Sequence, residues 1–456
     1  MQEMKLRTSP EFRRKLWALV LPITFQQIMF GLVGVSDALM LGALEQDALS
    51  AVSLAGQVSF VENMFISALT TGLSILAAQY WGKGDRAAVE RVFAYALKIT
   101  AGLALTFFLL SLFAPRGLMR IFTNEQALID RGAIYLKVFS PAFLLTGLSQ
   151  VYQCILKNSG RAGVASAASC VSVVVNIVLN ALFIFGLFGF PRLEIAGAAL
   201  ATVLARAIEA VWGVLETVRR DIVKLRWQNL IRDDTALRRD YWKYTLPLMG
   251  NQIVWGVGFT MYSVIMGHLG TDAVAANSVA NIVKNLINSL CFGLGLGGGI
   301  LVGNELGAGR LERGREYGGR LCRLALVSGV CSGLVLLAAS PLILSVTDLS
   351  AQAEYYLKWM LVMCTYNMVG MSMNVMTING VFPAGGDSKF GFYCDTVTMW
   401  CFSVPAGFLA AFVLKLPVLA VFFVINLDEM VKLPAVYRNY KKYKWVRDLT
   451  VRENAA

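Results

Sequence analysis

Residues 95–114 read YALKITAGLALTFFLLSLFA, and residues 324–346 read LALVSGVCSGLVLLAASPLILSV. Each run is at or beyond the roughly 20 residues a helix needs to cross a bilayer. Residues 403–425 supply a comparable stretch. A segment in lipid must satisfy its own backbone hydrogen bonds, so helices are expected. The period-two alternation of a membrane barrel is absent. Composition agrees: of 456 residues, 57% are hydrophobic and 15% charged, with mean hydropathy +0.60. A soluble domain carries about 25% charged residues to cover its surface.

The apolar pattern predicts spans near 15–43, 50–80, 92–115, 132–156, 163–187 and 195–219. A second set follows near 242–268, 275–305, 318–341, 354–380, 391–412 and 416–438. The run from Leu16 to Ala43 exceeds the apolar core of a secretory signal and is read as the first helix. The expected fold class is therefore an all-α polytopic membrane protein of about twelve transmembrane helices.

Net charge is +12, but its placement argues against a nucleic-acid partner. Arg13, Arg14 and Lys15 precede the first span, and Lys83, Arg86 and Arg91 occupy the second connection. Lys157 and Arg161 follow span four. The central connection holds Arg219, Arg220, Lys224, Arg226, Arg232, Arg238 and Arg239. Arg310, Arg313, Arg315, Arg320, Lys389 and then Lys441, Lys442, Lys444 and Arg447 continue the series. The intervening loops are short and mixed, with Glu45 and Asp47, Arg192 and Glu194, Asp272, and Asp348. Basic residues on alternate loops form the positive-inside pattern. Both termini are thus expected in the cytoplasm of a bacterium, with an even number of spans in its inner membrane. Anionic membrane lipids are expected neighbours of the basic loops.

Sliding the chain against itself by 225 positions aligns Leu21-Pro22 with Leu246-Pro247, and Gln26-Gln27 with Asn251-Gln252. Gly42 then meets Gly267, and Asp47-Ala48 meets Asp272-Ala273. Gln79 meets Asn304, Gly82 meets Gly307, and Gly84 meets Gly309. Each half holds an even number of spans, so the halves are parallel repeats about an axis along the membrane normal. The expected organisation is two six-helix bundles related by pseudo-two-fold symmetry. These are an N-terminal lobe over 1–220, a cytoplasmic inter-lobe loop over 221–240, and a C-terminal lobe over 241–456 with a basic cytoplasmic tail. Such an architecture favours transport by alternating access.

An ionisable group at the bilayer centre costs roughly 2.5–3.5 kcal/mol on insertion scales. Asp37, within FGLVGVSDALMLGAL, is the clearest case. Burial penalises its charge, and a bound cation or proton relieves the penalty; hydrogen bonding near a helix end is the structural alternative. Asn176 and Asn180 lie four residues apart on one face of the fifth span. Their carboxamides suit either a hard cation, hydrogen bonding to Asp37, or adhesion between helices. Thr202 adds a hydroxyl in the sixth span. Arg206 and Glu209 are spaced to pair on one helix face. Glu62, Lys284 and Asp395 fall inside predicted spans. Gln26, Tyr152, Trp255 and Tyr262, with Lys284 and Asp395, are candidates to line a cleft. Polarizable aromatic and methionine side chains suit apolar cations.

Other features carry no chemistry of their own. Eight cysteines lie in or beside spans without CxxC or zinc spacing, which suits small buried hydrophobes. His268 is the only histidine and falls at a helix end. GLGLGGG at 293–299 lacks the GK[ST] of a phosphate loop, so close helix contact or a flexible, unwound segment is expected there. No cofactor is implied, and energy is expected from an ion gradient rather than from ATP.

The stretches GVSDALMLGAL, DALSAVSLA and AAQYWGKGD, then VIMGHLGTDAVAANSVA, VGNELGAGR and FPAGGDSK, resemble the multidrug and toxic compound extrusion (MATE) family. NIVLNALFIFG and GAALATVLAR resemble it too, and the likeness runs across essentially the whole chain. It implies export of drug-like organic cations, coupled to Na⁺ or H⁺ entry, by a functional monomer with a central cleft. Asp37 matches the family's first-helix carboxylate for the coupling ion, while Asn176 and Thr202 match neutral ligand positions. Pro22 matches the first-helix proline at which bending is proposed. Asn180 stands where several members have a second Asp, and Trp255 stands near the helix-seven Glu of one branch. These departures place the implied ion site (Asp37, Asn176, Asn180 and Thr202, ligands of Na⁺ if sodium is the coupling ion) in the N-terminal lobe. The alternatives are a flippase for lipid-linked glycans, which wants a strongly cationic cleft, and a membrane acyltransferase, which wants an intramembrane His or Cys nucleophile.

Overall fold

The computed structural model describes residues 10–451 apart from 232, 233 and 348. Arg232 and Asp348 therefore lie outside the described residues. Among those described there is no strand. The first six long helices are α1 (Pro10–Gly42), α2 (Gln46–Lys83), α3 (Arg86–Phe113), α4 (Gln126–Asn158), α5 (Ala162–Phe185) and α6 (Glu194–Arg219). Then come α7 (Thr235–Gly267), α8 (Thr271–Gly307), α9 (Leu311–Val346), α10 (Ala351–Asn374), α11 (Ser388–Asp395), α12 (Val418–Ile425) and α13 (Asp428–Lys441). α10 runs on through a π-helical turn at Val375–Val381, and α11 through others at Thr396–Ser403 and Leu409–Val413.

Among the described residues, ten helical segments are long and apolar enough to cross a membrane. The other two predicted spans coincide with α7, whose apolar run is broken by Asn251 and Gln252, and with the short pair α12 and α13. The chain is thus an all-helical multi-pass membrane protein.

Local chemistry sets the helix ends. Asp85 caps α3, its Oδ1 accepting from the Ala88 N–H at 2.9 Å, and Ser350 caps α10 through the Ala353 N–H at 3.1 Å. Such caps satisfy donors the first turn leaves free. Gly84 and Gly309, matched by the repeat, follow α2 and α8 with φ +82° and +73°. Only glycine adopts this left-handed conformation freely, so the repeated turn requires it twice. Within α1, Pro22 has no N–H to give the carbonyl one turn back, at Ala18.

The chain divides into two compact units. One contains the described residues of Met1–Gln27, Ala78–Gly84 and Gly250–Ala456; the other contains Ile28–Ala77 and Asp85–Met249. In the first, the glycine-rich stretch of α8 is a contact surface. A Cβ at Gly293 would fall 2.0 Å from Thr24 Oγ1, and one at Gly299 3.0 Å from the Gly380 carbonyl. The helix-contact reading of GLGLGGG holds. In the second unit, buried Ile129, Leu136, Phe143, Ile184 and Ala199 join α4, α5 and α6 in one core. The Tyr241 hydroxyl, from the start of α7, donates to the Leu69 carbonyl at 2.9 Å.

Candidate functional site

Three helices of the second unit bring the predicted N-terminal residues together. Asn176 and Asn180 sit one turn apart on α5, and both are buried. Asp37 comes from α1 and Thr202 from α6. Asn180 Nδ2 donates to Asp37 Oδ1 at 2.6 Å and to Asn176 Oδ1 at 3.3 Å. Asn176 Nδ2 donates to Thr202 Oγ1 at 3.2 Å, and the Thr202 hydroxyl donates to the Ala198 carbonyl at 3.0 Å. The polar groups thus form a chain that presents N–H to the carboxylate. A donor to a charged acceptor is the stronger kind of hydrogen bond, about 1.5–3 kcal/mol. Asn180 Oδ1, also buried, has no hydrogen-bond partner. The site therefore combines one carboxylate with an oxygen whose lone pairs are unused.

A second polar network lies in the same unit. Arg206 Nη1 donates to Glu209 Oε2 at 2.6 Å, the pair its i,i+3 spacing predicts. Ser169 Oγ donates to Glu209 Oε1 at 2.6 Å, and Gln153 donates to that same oxygen. The Arg206 guanidinium also lies 5.5 Å from the Phe30 ring centre. Buried Glu209 is thereby neutralised and hydrogen-bonded, which is the condition for burying a charge at all.

The other candidates are distributed between the units. Trp255, Tyr262 and Lys284 line one cavity in the first unit, together with Phe259, Asn281 and Glu429. Trp255 stacks on Phe259 with ring centres 5.6 Å apart. Asp395 is not among the residues that line this cavity; its Oδ1 lies 2.9 Å from Lys432 Nζ. Gln26 is buried within the first unit. Tyr152 is buried in the second, edge-on to Phe93 at 5.1 Å. Pro22 stands 15 residues before Asp37 in α1, about four turns. His268 is exposed, with Nδ1 2.9 Å from the Val264 carbonyl.

Sequence reasoning missed one cluster. Lys432 Nζ lies 3.0 Å from Glu429 Oε1 and 3.6 Å from Asp428 Oδ2, besides Asp395. All four groups are buried or nearly so, and Asn374 Nδ2 holds Glu429 Oε2 at 2.7 Å. The signal was present in INLDEMVK, where two acids and a lysine share one face at i,i+3 and i,i+4. A second lobe without an acid at Trp255 or Tyr262 still assembles three acids, from α11 and α13, around an internal ammonium.

The MatE family model matches residues 22–182 and 247–425, one stretch in each repeat. The "Uncharacterized transporter YisQ" of Bacillus subtilis is 23% identical over 438 residues, 95% of each chain. The "Probable multidrug resistance protein NorM" of Thermotoga maritima is 29% identical over 310 residues, covering 66% of this chain and 65% of that one. A crystal structure of MATE in complex with MaL6 superposes with a TM-score of 0.87 at 18% identity, covering 95% of this chain and 96% of that chain. The helical order, the paired repeat and a match over both halves lead to one assignment: this chain belongs to the MatE family of multidrug and toxic compound extrusion transporters.

Proposed function

We propose that this chain exports lipophilic organic cations by antiport, with H⁺ or Na⁺ entering through the Asp37 site. The observation that carries the reading is the Asn180 carboxamide, which gives an N–H to Asp37 while its own Oδ1 is buried without a partner. An ionised Asp37 needs that donor. Once Asp37 holds a proton or a sodium ion, its need reverses, and the carbonyl end of Asn180 becomes the better partner. Rotation of one amide thus answers a change in charge, and Asn176 and Thr202 carry the change from α5 to α6. With Na⁺, the neutral oxygens of Asn176, Asn180 and Thr202 would complete a hard-ligand set.

Pro22 is assigned as the hinge of α1, because the missing hydrogen bond at Ala18 makes bending cheap there. One monovalent ion entering down about 100 mV supplies roughly 2.3 kcal/mol. A cationic cargo suits a site whose exposed chemistry is acidic and aromatic. The basic alternate loops support cytoplasmic termini and residence in a bacterial inner membrane. The three acids around Lys432 share its ammonium, whereas no basic group among the described residues pairs with Asp37, which favours Asp37 as an exchanging group.

The test is ethidium efflux from an efflux-deficient strain expressing the chain or its Asp37→Asn variant, with and without Na⁺ across a pH series. Loss of efflux in Asp37→Asn at wild-type protein levels is expected. Undiminished efflux would remove Asp37 from the mechanism. The Na⁺ and pH arms identify the coupling ion.

A further inference from the structure

Glu62 lies in the middle of the buried stripe of α2. Ala55, Val58, Ile66 and Leu69, spaced three and four residues apart around it, are at most 4% exposed. Glu62 itself is 1% exposed, and its Oε1 has no hydrogen-bond partner. Among the described residues no basic group comes within ion-pair distance of it. Arg206 is the base within electrostatic reach, and it also acts on Asp37. Yet Arg206 is already bound to Glu209 at 2.6 Å and set over Phe30. Lys157 of α4 also lies within electrostatic reach of Glu209. The unit thus holds half-buried Asp37 and buried Glu62 and Glu209 within reach of one guanidinium, and only Glu209 is paired with it.

An unpaired buried carboxylate is tolerated when it carries a proton. Structure alone gives a reason to prefer a proton over an alkali ion. Asp37 is bonded to Asn180, whose hydrogen bonds lead on to the oxygens of Asn176 and Thr202, whereas Glu62 Oε1 has no hydrogen-bond partner. A metal ion needs several oxygens, but a proton needs one lone pair.

We propose that Glu62 is a second proton-exchanging carboxylate of the transport cycle, taking up a proton from water on one face of the membrane and returning it to water on the other. This rests on the antiport reading of Asp37 and adds one proton to each cycle. Arg206 is the element the two acids share, so loading either one alters the field at the other.

The full chain, reconstituted in liposomes with an internal pH dye, gives protons moved per ethidium. Glu62→Gln is expected to keep ethidium transport while moving one proton fewer. Its steady-state ethidium gradient then falls about tenfold at one imposed pH unit, since 1.4 kcal/mol is a factor of ten. Glu62→Asp restores the ratio. An unchanged proton ratio in Glu62→Gln, with flux lost in Asp37→Asn, overturns the role of Glu62 and leaves the antiport reading standing. Unchanged flux in Asp37→Asn overturns the antiport reading itself. The unmutated chain offers a second measurement, proton release on adding ethidium in lightly buffered detergent. Glu62→Gln is expected to release one proton fewer than the unmutated chain, and equal release from both overturns the proposal.

Discussion

Gly82 lies directly against the main chain of Asn304: a Cβ there would sit 2.0 Å from the Asn304 carbonyl oxygen. Gly307 lies the same way against Gln79, with a Cβ 1.9 Å from its carbonyl oxygen. Adding 225 to Gln79 and Gly82 gives Asn304 and Gly307. Each repeat therefore offers its glycine to the other repeat's amide residue, the reciprocity that a two-fold axis produces. The ends of α2 and α8 cross at that axis, and neither backbone has room for a side chain.

Gly82→Ala and Gly307→Ala each force a methyl into a carbonyl. Overpacking of this kind costs about 1–3 kcal/mol, and the contact atoms here are backbone, which yields less than a side chain. Both variants are expected to lose folded protein at a lower temperature than the parent, read by size-exclusion after heating in detergent. Gly102→Ala is the control, since nothing lies within 4 Å of its Cβ position. Equal behaviour of all three would remove the close-contact account.

The repeat was legible because the residues that meet at the axis must stay small and polar in both copies. Asp37, Asn176, Asn180 and Thr202 were legible for a different reason: a polar side chain in an apolar run has to meet another one. The Lys432 cluster was harder to see, because its acids and lysine lie close to a basic tail and resemble charges at a membrane surface. Only the fold turns α13 inward toward Asp395. Trp445 was hidden likewise in KKYKWVR, a stretch whose composition suggests solvent. Long-range contact, not local pattern, decides both cases.

Trp445 is fully buried in the first unit. It stacks on Tyr440 at 5.5 Å and fills the space left by Gly318, whose Cβ would fall 2.4 Å from the indole. Gln79 holds the following residues: its Nε2 donates to the Ala384 and Arg447 carbonyls at 2.7 and 3.1 Å, and its Oε1 accepts the Leu449 N–H at 2.6 Å. Trp445→Ala is expected to destabilise the chain by about 3–5 kcal/mol. Gln79→Leu, which strands three main-chain groups, is expected to act in the same direction. Heating in detergent measures both, and a Trp445→Ala chain as stable as the parent contradicts the burial of this tail.

Lys432 is shared by three carboxylates, at 2.9, 3.0 and 3.6 Å. Lys432→Met leaves them facing one another with no internal ammonium. Breaking a buried pair by removing one partner costs about 3–5 kcal/mol. Asp395→Asn in the same chain removes one of the stranded charges and is expected to recover part of the loss. Absence of recovery in the double variant would show that the carboxylates are neutralised from elsewhere.

Asn180 separates a structural from a coupling role most directly. Asn180→Leu keeps the branching of the side chain but deprives Asp37 of its 2.6 Å donor and Asn176 of its 3.3 Å donor. A hydrogen bond to a charged group is worth about 1.5–3 kcal/mol, a factor of roughly ten to a hundred in any step that needs the ionised carboxylate. Ethidium efflux is expected to fall by that order at unchanged protein level. Asn176→Leu removes a contact one step further from the charge and is expected to cost less. Asn180→Asp exchanges the donor for a second carboxylate, which strengthens attraction for a cation while losing the N–H; the pH range over which efflux operates is expected to move. If Asn180→Leu transports like the parent while Asp37→Asn does not, the carboxylate works without the amide, and the rotation assigned to Asn180 is wrong.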